Sequence, residues 1–108
     1  MNLAIAPSAW WQRQLQPEQL RALAGAASYA RGELYCASGR VMQMEFEGER
    51  LTARVTGQQI YTVCLWRRGK ALQFSCTCPF AAEGAFCKHC VAVGLTVTTE
   101  LTQYVPIS

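Results

Sequence analysis

"CTCPFAAEGAFCKHC", residues 76–90, gathers four of the chain's six cysteines and its one histidine. Its spacing decides how the chain folds. Cys76 and Cys78 close an alternating apolar run that begins at Leu72, and residues two apart in a strand project to the same face. Both sulfurs therefore point together from a strand end. Pro79 has no N–H for a ladder and holds Cys78 extended, so the strand stops there. The connection 79–86, with Gly84 within it, is long enough to turn back over the two sulfurs. Cys87 and His89 then supply a third thiolate and an imidazole, the closed tetrahedral set of a structural zinc ion. Residues two apart in an α-helix lie about 200° apart around its axis. Cys87 is thus expected on the turn leading into a helix, with His89 in the first turn reaching back to the ion. The partial positive charge of a helix start favours a thiolate there. Cys90 leaves an alternative, because Cys87-x-x-Cys90 is also a ligand spacing and the spacing of thiol redox proteins. His89 is expected as the fourth ligand, and Cys90 as a buried neighbour of Val91.

Working upstream, the apolar period is two. Met42, Met44 and Phe46 alternate with Gln43, Glu45 and Glu47; Leu51, Ala53 and Val55 alternate with Thr52, Arg54 and Thr56. Tyr61, Val63 and Leu65 alternate with Thr62, Cys64 and Trp66, and Leu72, Phe74 and Cys76 complete the series. "EGE", "TGQ" and "RRGK" separate the runs as hairpin turns do. Residues 39–76 are therefore expected to form a four-stranded antiparallel meander with one face on a core and one partly wet.

Before the sheet, "PEQLRALAGAASYARGELY" reads as a helix starting at Pro17 and Glu18, with Gly32 as its stop. Trp10 and Trp11 read as an apolar anchor packing an N-terminal arm, so that residues 1–35 form an arm and a helix. After Cys87, Val91, Leu95, Thr98 and Leu101 suit one helical face, although Gly94 and the β-branched run Val93 to Thr99 are costly in a helix. A metal at its first turn would help nucleate it, and Pro106 marks the end of regular structure. The expected fold class is α+β in a single domain: N-terminal helix, four-stranded antiparallel meander, and a zinc-pinned C-terminal helix over residues 76–101.

The bulk composition agrees with a folded chain of 108 residues, 51% hydrophobic and 16% charged, which is one domain's worth. The net charge of +3 permits contact with nucleic acid without requiring it. "MNLAIAPSAWW" lacks a basic start, and Pro7 and Ser8 interrupt its apolar run, so it does not read as a secretion signal. No stretch approaches a membrane span. A cytoplasmic setting is expected, where clustered cysteines serve metals or catalysis more than disulfides.

The stretch C-T-C-P-F, then G-x-x-C-K-H-C-V-A-V, resembles the SWIM zinc finger, whose pattern is Cys-x-Cys, a variable connection, then Cys-x-His. "ARGELYCASGRV" and "RVTGQQIYTVCL" are similar to the lead-in of bacterial SWIM proteins, so the resemblance spans about residues 28 to 96. It implies zinc on Cys76, Cys78, Cys87 and His89, carried by a strand and then a helix. Cys90 departs from it, standing where a plain apolar residue is expected. Members occur as short bacterial proteins, near the front of Swi/Snf-type helicases, and in plant transposases and some eukaryotic signalling proteins. Their proposed role is binding DNA or protein.

Catalysis is not expected, since four protein ligands leave no open position on the metal. Glu83, the only carboxylate of the connection, reads as an exposed loop residue, and the His-x-Glu of nucleobase deaminases is absent. The basic turn "WRRGK" offers Arg67, Arg68 and Lys70 beside Trp66, a pairing of phosphate contacts with an aromatic platform. Lys88, Arg40, Arg50 and Arg54 would widen it. The plainer reading is a solvated hairpin whose charges deter strand pairing. Cys36 and Cys64 read as structural. The first expectation is a non-enzymatic DNA-binding module. A protein-interaction module, alone or at the front of a helicase-like protein, is the alternative, and a Cys87/Cys90 thiol redox protein the third. No membrane and no small-molecule substrate are expected.

Overall fold

The alternation read from residues 39–76 becomes one antiparallel sheet. A computed structural model of the chain describes residues 9–79, 81 and 84–104. β1 (Val41–Glu47), β2 (Arg50–Thr56), β3 (Ile60–Arg68) and β4 (Ala71–Cys76) lie in the order β1-β2-β3-β4. Leu51 faces Leu65, Ala53 faces Val63, and Leu65 in turn faces Phe74. Leu51, Ala53, Val55, Val63 and Leu65 are all fully buried, and each large one stabilises the fold by about 1.5–3 kcal/mol. Across the same strands Arg50, Arg54 and Arg68 are exposed, so the sheet has one dry face and one wet one.

β1 departs from strict alternation. Its register with β2 shifts between Met42 and Glu45, and Gln43 takes a φ of 52°. A bulge of this kind adds one residue and switches the faces on its two sides. Met42 therefore stands opposite Arg54 on the wet face, while Val41 and Met44 are the buried pair. The expected trio Met42, Met44 and Phe46 is corrected to Val41, Met44 and Phe46.

The single N-terminal helix is also corrected, to three. α1 (Ala9–Gln14), α2 (Pro17–Ala24) and α3 (Ala26–Ala37) precede the sheet. The break falls at Gly25, whose φ of 86° is left-handed and disfavoured for other residues. Gly32 does not stop α3; it lies buried in its middle. Its role is close approach. A Cβ there would stand 2.4 Å from Val91 Cγ1 and 2.9 Å from the Lys88 carbonyl oxygen.

Those two residues belong to α4 (Lys88–Tyr104), which lies between α3 and the dry face of the sheet. Cys90, Val91, Ala92, Val93 and Val97 are fully buried along it. This burial outweighs the poor helix propensity of the segment. Its threonines are accommodated individually: Thr96 and Thr99 donate to the carbonyls of Ala92 and Leu95 at 2.8 and 2.9 Å. Thr98 donates to the Leu15 carbonyl at 2.7 Å, tying α4 to the link between α1 and α2. Gly94 is where Leu20 of α2 presses against the helix.

Trp10 and Trp11 pack as expected. Trp11 meets Trp10 edge-on at 5.1 Å and Phe46 at 5.3 Å, and its Nε1 donates to Glu49 at 3.1 Å. The architecture is thus α+β, with helices on one face of a meander. No helix among the described residues is long and apolar enough to cross a membrane. The expectations for residues 1–8, Glu83 and Pro106 fall outside the described residues.

The α3–α4 crossing makes a direct prediction. Gly32→Ala should destabilise the protein by about 1–2 kcal/mol in chemical denaturation, despite alanine's better helix propensity, because the packed crossing cannot take the methyl. The Val91 Cβ, 2.5 Å from where that methyl would stand, and the Lys88 carbonyl oxygen both stay in place in Val91→Ala, so that background should keep most of the penalty. A neutral or stabilising Gly32→Ala would contradict the crossing.

Candidate metal centre

The site forms where β4 ends and α4 begins. Thr77 prolongs the β3–β4 pairing past Cys76: its N–H donates to the Thr62 carbonyl at 3.1 Å, and its hydroxyl accepts from the Thr62 N–H at 2.9 Å. This holds the backbone extended just where two sulfurs must project. Cys78 lies two residues beyond the last strand residue and is 2% exposed. The chain then turns, with the Gly84 N–H bonded to the Ala81 carbonyl at 2.9 Å and Gly84 at a φ of 84°. Phe86 is buried against Phe74 of β4, ring centroids 4.9 Å apart, which returns the chain to the strand it left. Cys87 caps α4: its carbonyl accepts the first helical hydrogen bond, from Val91, at 3.1 Å.

These elements bring the Cys76, Cys78 and Cys87 sulfurs and a His89 ring nitrogen within 4.8 Å of one another. His89 Nδ1 is 3.7 Å from both Cys76 Sγ and Cys87 Sγ. Bonds of about 2.3 Å to sulfur and 2.0 Å to nitrogen set tetrahedral edges of roughly 3.5–3.8 Å. The two His89–sulfur separations lie close to such edges, and with all four donors within 4.8 Å the set can close on one ion by small shifts. Cys87 on the turn and His89 in the first helical turn stand as the spacing required.

Cys90 stands apart from this set. Its sulfur is 3.8 Å from Cys87 Sγ, but the residue is fully buried beneath the site and is not among the four converging donors. The hydrogen bonds that Cys87 accepts from the Cys76 and Cys90 thiols push the Cys87 thiol far down, so it is the first to ionise. Cys76 is pushed up by donating to Cys87 and by its burial, and Cys90 is pushed up for the same two reasons. Backbone N–H groups of Cys78 and Cys90 also donate to the Cys76 and Cys87 sulfurs, favouring their thiolates. Taking up a metal requires Cys76 to release its proton.

Two tyrosines complete the surroundings. The Tyr61 ring lies 4.5 Å from the His89 ring, tilted by 32°, and Tyr35 meets it edge-on at 5.3 Å. Tyr61 is on the inner face of β3, as its alternation implies. Tyr35, at the far end of α3, carries no signal in the sequence that links it to the site.

The basic residues singled out in the sequence do not form one patch. Lys88 is at the metal end, with its Nζ 5.4 Å from the Tyr35 ring. Arg67, Arg68 and Lys70 are at the β3–β4 turn, where Arg68 pairs with Ala71, while Cys76 pairs with Val63 at the other end of the ladder. Five residues of strand separate these ends, about 17 Å. The turn itself divides further. Arg67 leans on Trp10 at 4.7 Å and donates to the Gly69 carbonyl at 2.8 Å, whereas Arg68 is on the wet face with Trp66. Cys36 is 3.4 Å from the Thr96 hydroxyl, and Cys64 is 3.9 Å from that of Thr52; neither approaches the four donors.

Comparison with protein-family models, with curated proteins and with solved structures found no match. The chemistry of the site therefore rests on its own geometry.

Two classes of variant separate ligands from neighbours. Cys76→Ser, Cys78→Ser, Cys87→Ser and His89→Ala should each abolish stoichiometric metal in the purified protein, read by elemental analysis. Cys90→Ala should keep one ion per chain, with affinity reduced at most about 10–100-fold as for an outer-shell partner. Loss of the ion from Cys90→Ala alone would make Cys90 a ligand.

Proposed function

We propose that this chain is a non-enzymatic zinc module of SWIM type that binds nucleic acid, single-stranded DNA first, on the open face of its sheet. Zinc is favoured because three sulfurs and one nitrogen fill a tetrahedron and leave no position for substrate. The ion's work is to fix the end of β4 against the start of α4. Binding free energies of about 10–16 kcal/mol in comparable peptide sites rival the whole stability of a small domain.

The observation that carries the nucleic-acid reading is the surroundings of Trp66. It lies half-buried on the wet face, with the Arg50 guanidinium 5.2 Å from its ring. Arg68 follows two residues along β3, and Arg54 two turns of the pleat from Arg50 along β2, all three arginines exposed. Glu45 and Glu47 of β1 are exposed on the same face, so the positive strip is confined to the middle strands. A flat sheet that offers an aromatic ring among cations suits an unpaired base stacked on the ring and phosphates on the arginines. Arg67 and Lys88, turned elsewhere, are secondary in this account.

The protein-interaction reading draws less support. Such a module calls for an exposed apolar patch, around Trp66 or the N-terminal tryptophans. Trp10 and Trp11 are buried, Trp66 is half-buried, and the exposed large apolar residues among the described ones are Leu23, Leu34 and Ile60, which is ordinary for a folded surface. The redox reading has Cys87 and Cys90 in contact, but both are at least nine-tenths buried.

Fluorescence anisotropy of zinc-loaded protein with single- and double-stranded DNA at two salt concentrations tests the proposal. Affinity should fall steeply with salt. Trp66→Ala should weaken single-strand binding by about 1–3 kcal/mol, and Arg68→Ala should lower the salt slope where Arg67→Ala leaves it nearly unchanged. No binding at low salt would overturn the proposal in favour of a protein partner.

A further inference from the structure

Two donors of the metal cluster, Cys78 and His89, border a cavity that Tyr35, Gln58, Tyr61, Pro79 and Lys88 complete. It holds about 220 Å³, several times the ~30 Å³ share of a water molecule. Three features give this cavity a preferred ligand.

The first is His89 itself. With Nδ1 turned to the Cys76 and Cys87 sulfurs, its Nε2 has no hydrogen-bond partner, although the residue is 2% exposed. A metal on Nδ1 leaves the proton on Nε2, and metal-bound imidazoles ordinarily pass that N–H to a carboxylate, carbonyl or water. Here the acceptor is missing among the described residues. The second is charge. Lys88 lines the cavity and leans on the Tyr35 ring at 5.4 Å. Arg40 leans on the same ring at 5.2 Å from outside the lining and donates to the Thr56 carbonyl at 3.3 Å, so Lys88 is the cation at the wall. The third is the wall chemistry: an ammonium, two phenols, a carboxamide and an imidazole N–H offer donors from several directions. The start of α4 adds its positive dipole end.

We propose that this cavity binds a phosphate group. A phosphate carries acceptor oxygens in several directions and a charge that complements the Lys88 ammonium. The group could belong to a free phosphate compound or to the terminal phosphate of a nucleic-acid strand. The role of Nε2 rests on the metal reading; the site is separate from the Trp66 face.

The test is a titration of zinc-loaded, histidine-¹⁵N-labelled full chain with inorganic phosphate, followed by NMR at constant ionic strength. The His89 Nε2–H signal should shift saturably. Lys88→Met should weaken phosphate at least tenfold and Tyr61→Phe severalfold, both with the zinc content intact. Trp66→Ala should leave phosphate binding unchanged, which separates failure here from failure of the sheet reading. Oligonucleotides with and without a 5′- or 3′-phosphate form the second arm. Tighter binding of a phosphorylated end identifies the strand as the source, and equal binding with a response to phosphate alone identifies a free phosphate compound. No saturable shift at tens of millimolar phosphate, a shift reproduced by chloride, or an unchanged affinity in Lys88→Met would overturn the proposal.

Discussion

The constraint on which the rest depends is the convergence of Cys76, Cys78, Cys87 and His89 within 4.8 Å. It joins the last strand residue to the first turn of α4, and through α4 it fixes everything packed there. α4 touches all four strands and crosses α3 at Gly32, with Val91 filling the space a side chain would need. Three thiols and an imidazole collected in a protected place have little to gain from one another. Burial and hydrogen bonding push the Cys76 thiol up, whereas donation from its neighbours pushes Cys87 down. A metal ion bound there would turn the same set into a strong local tie between β4 and α4.

Much of this was legible in the sequence because the relevant periods are short and strict. Two-residue alternation placed Leu51, Ala53, Val55, Val63 and Leu65 on one face, and the register bears that out. Cys-x-Cys at a strand end and Cys-x-His at a helix start likewise point to the cluster that converges here, although the sequence leaves Cys90 open as an alternative to His89. The misses have physical causes. The bulge at Gln43 rests on a single left-handed residue, which alternation cannot signal. Gly25 and Gly32 look alike in the chain; only the approach of α4 decides that one breaks the helix and the other is packed inside it. α4 forms against its own propensity because burial of Val91, Val93 and Val97 dominates. The separation of Lys88 from Arg68 depends on strand direction, which composition does not carry.

The two ends of the sheet have different characters. At the end where β4 meets α4, Tyr35, Tyr61 and Lys88 surround the outer side of His89, so the histidine of the donor cluster also borders a cavity. Away from it, the wet face carries Trp66 among Arg50, Arg54 and Arg68. The buried side chains of the core and the converging Cys and His donors belong to the inner side of the same four strands. Substitutions on the wet face are therefore expected to disturb stability less than substitutions among the donors.

X-ray absorption at the zinc edge of the purified protein tests the central claim most directly. The account predicts a first shell of three sulfurs at about 2.3 Å and one imidazole nitrogen at about 2.0 Å, unchanged in Cys90→Ala. A shell of four sulfurs would replace His89 by Cys90, and a shell with an oxygen from water would mean an open site. Either would contradict the closed clamp described here.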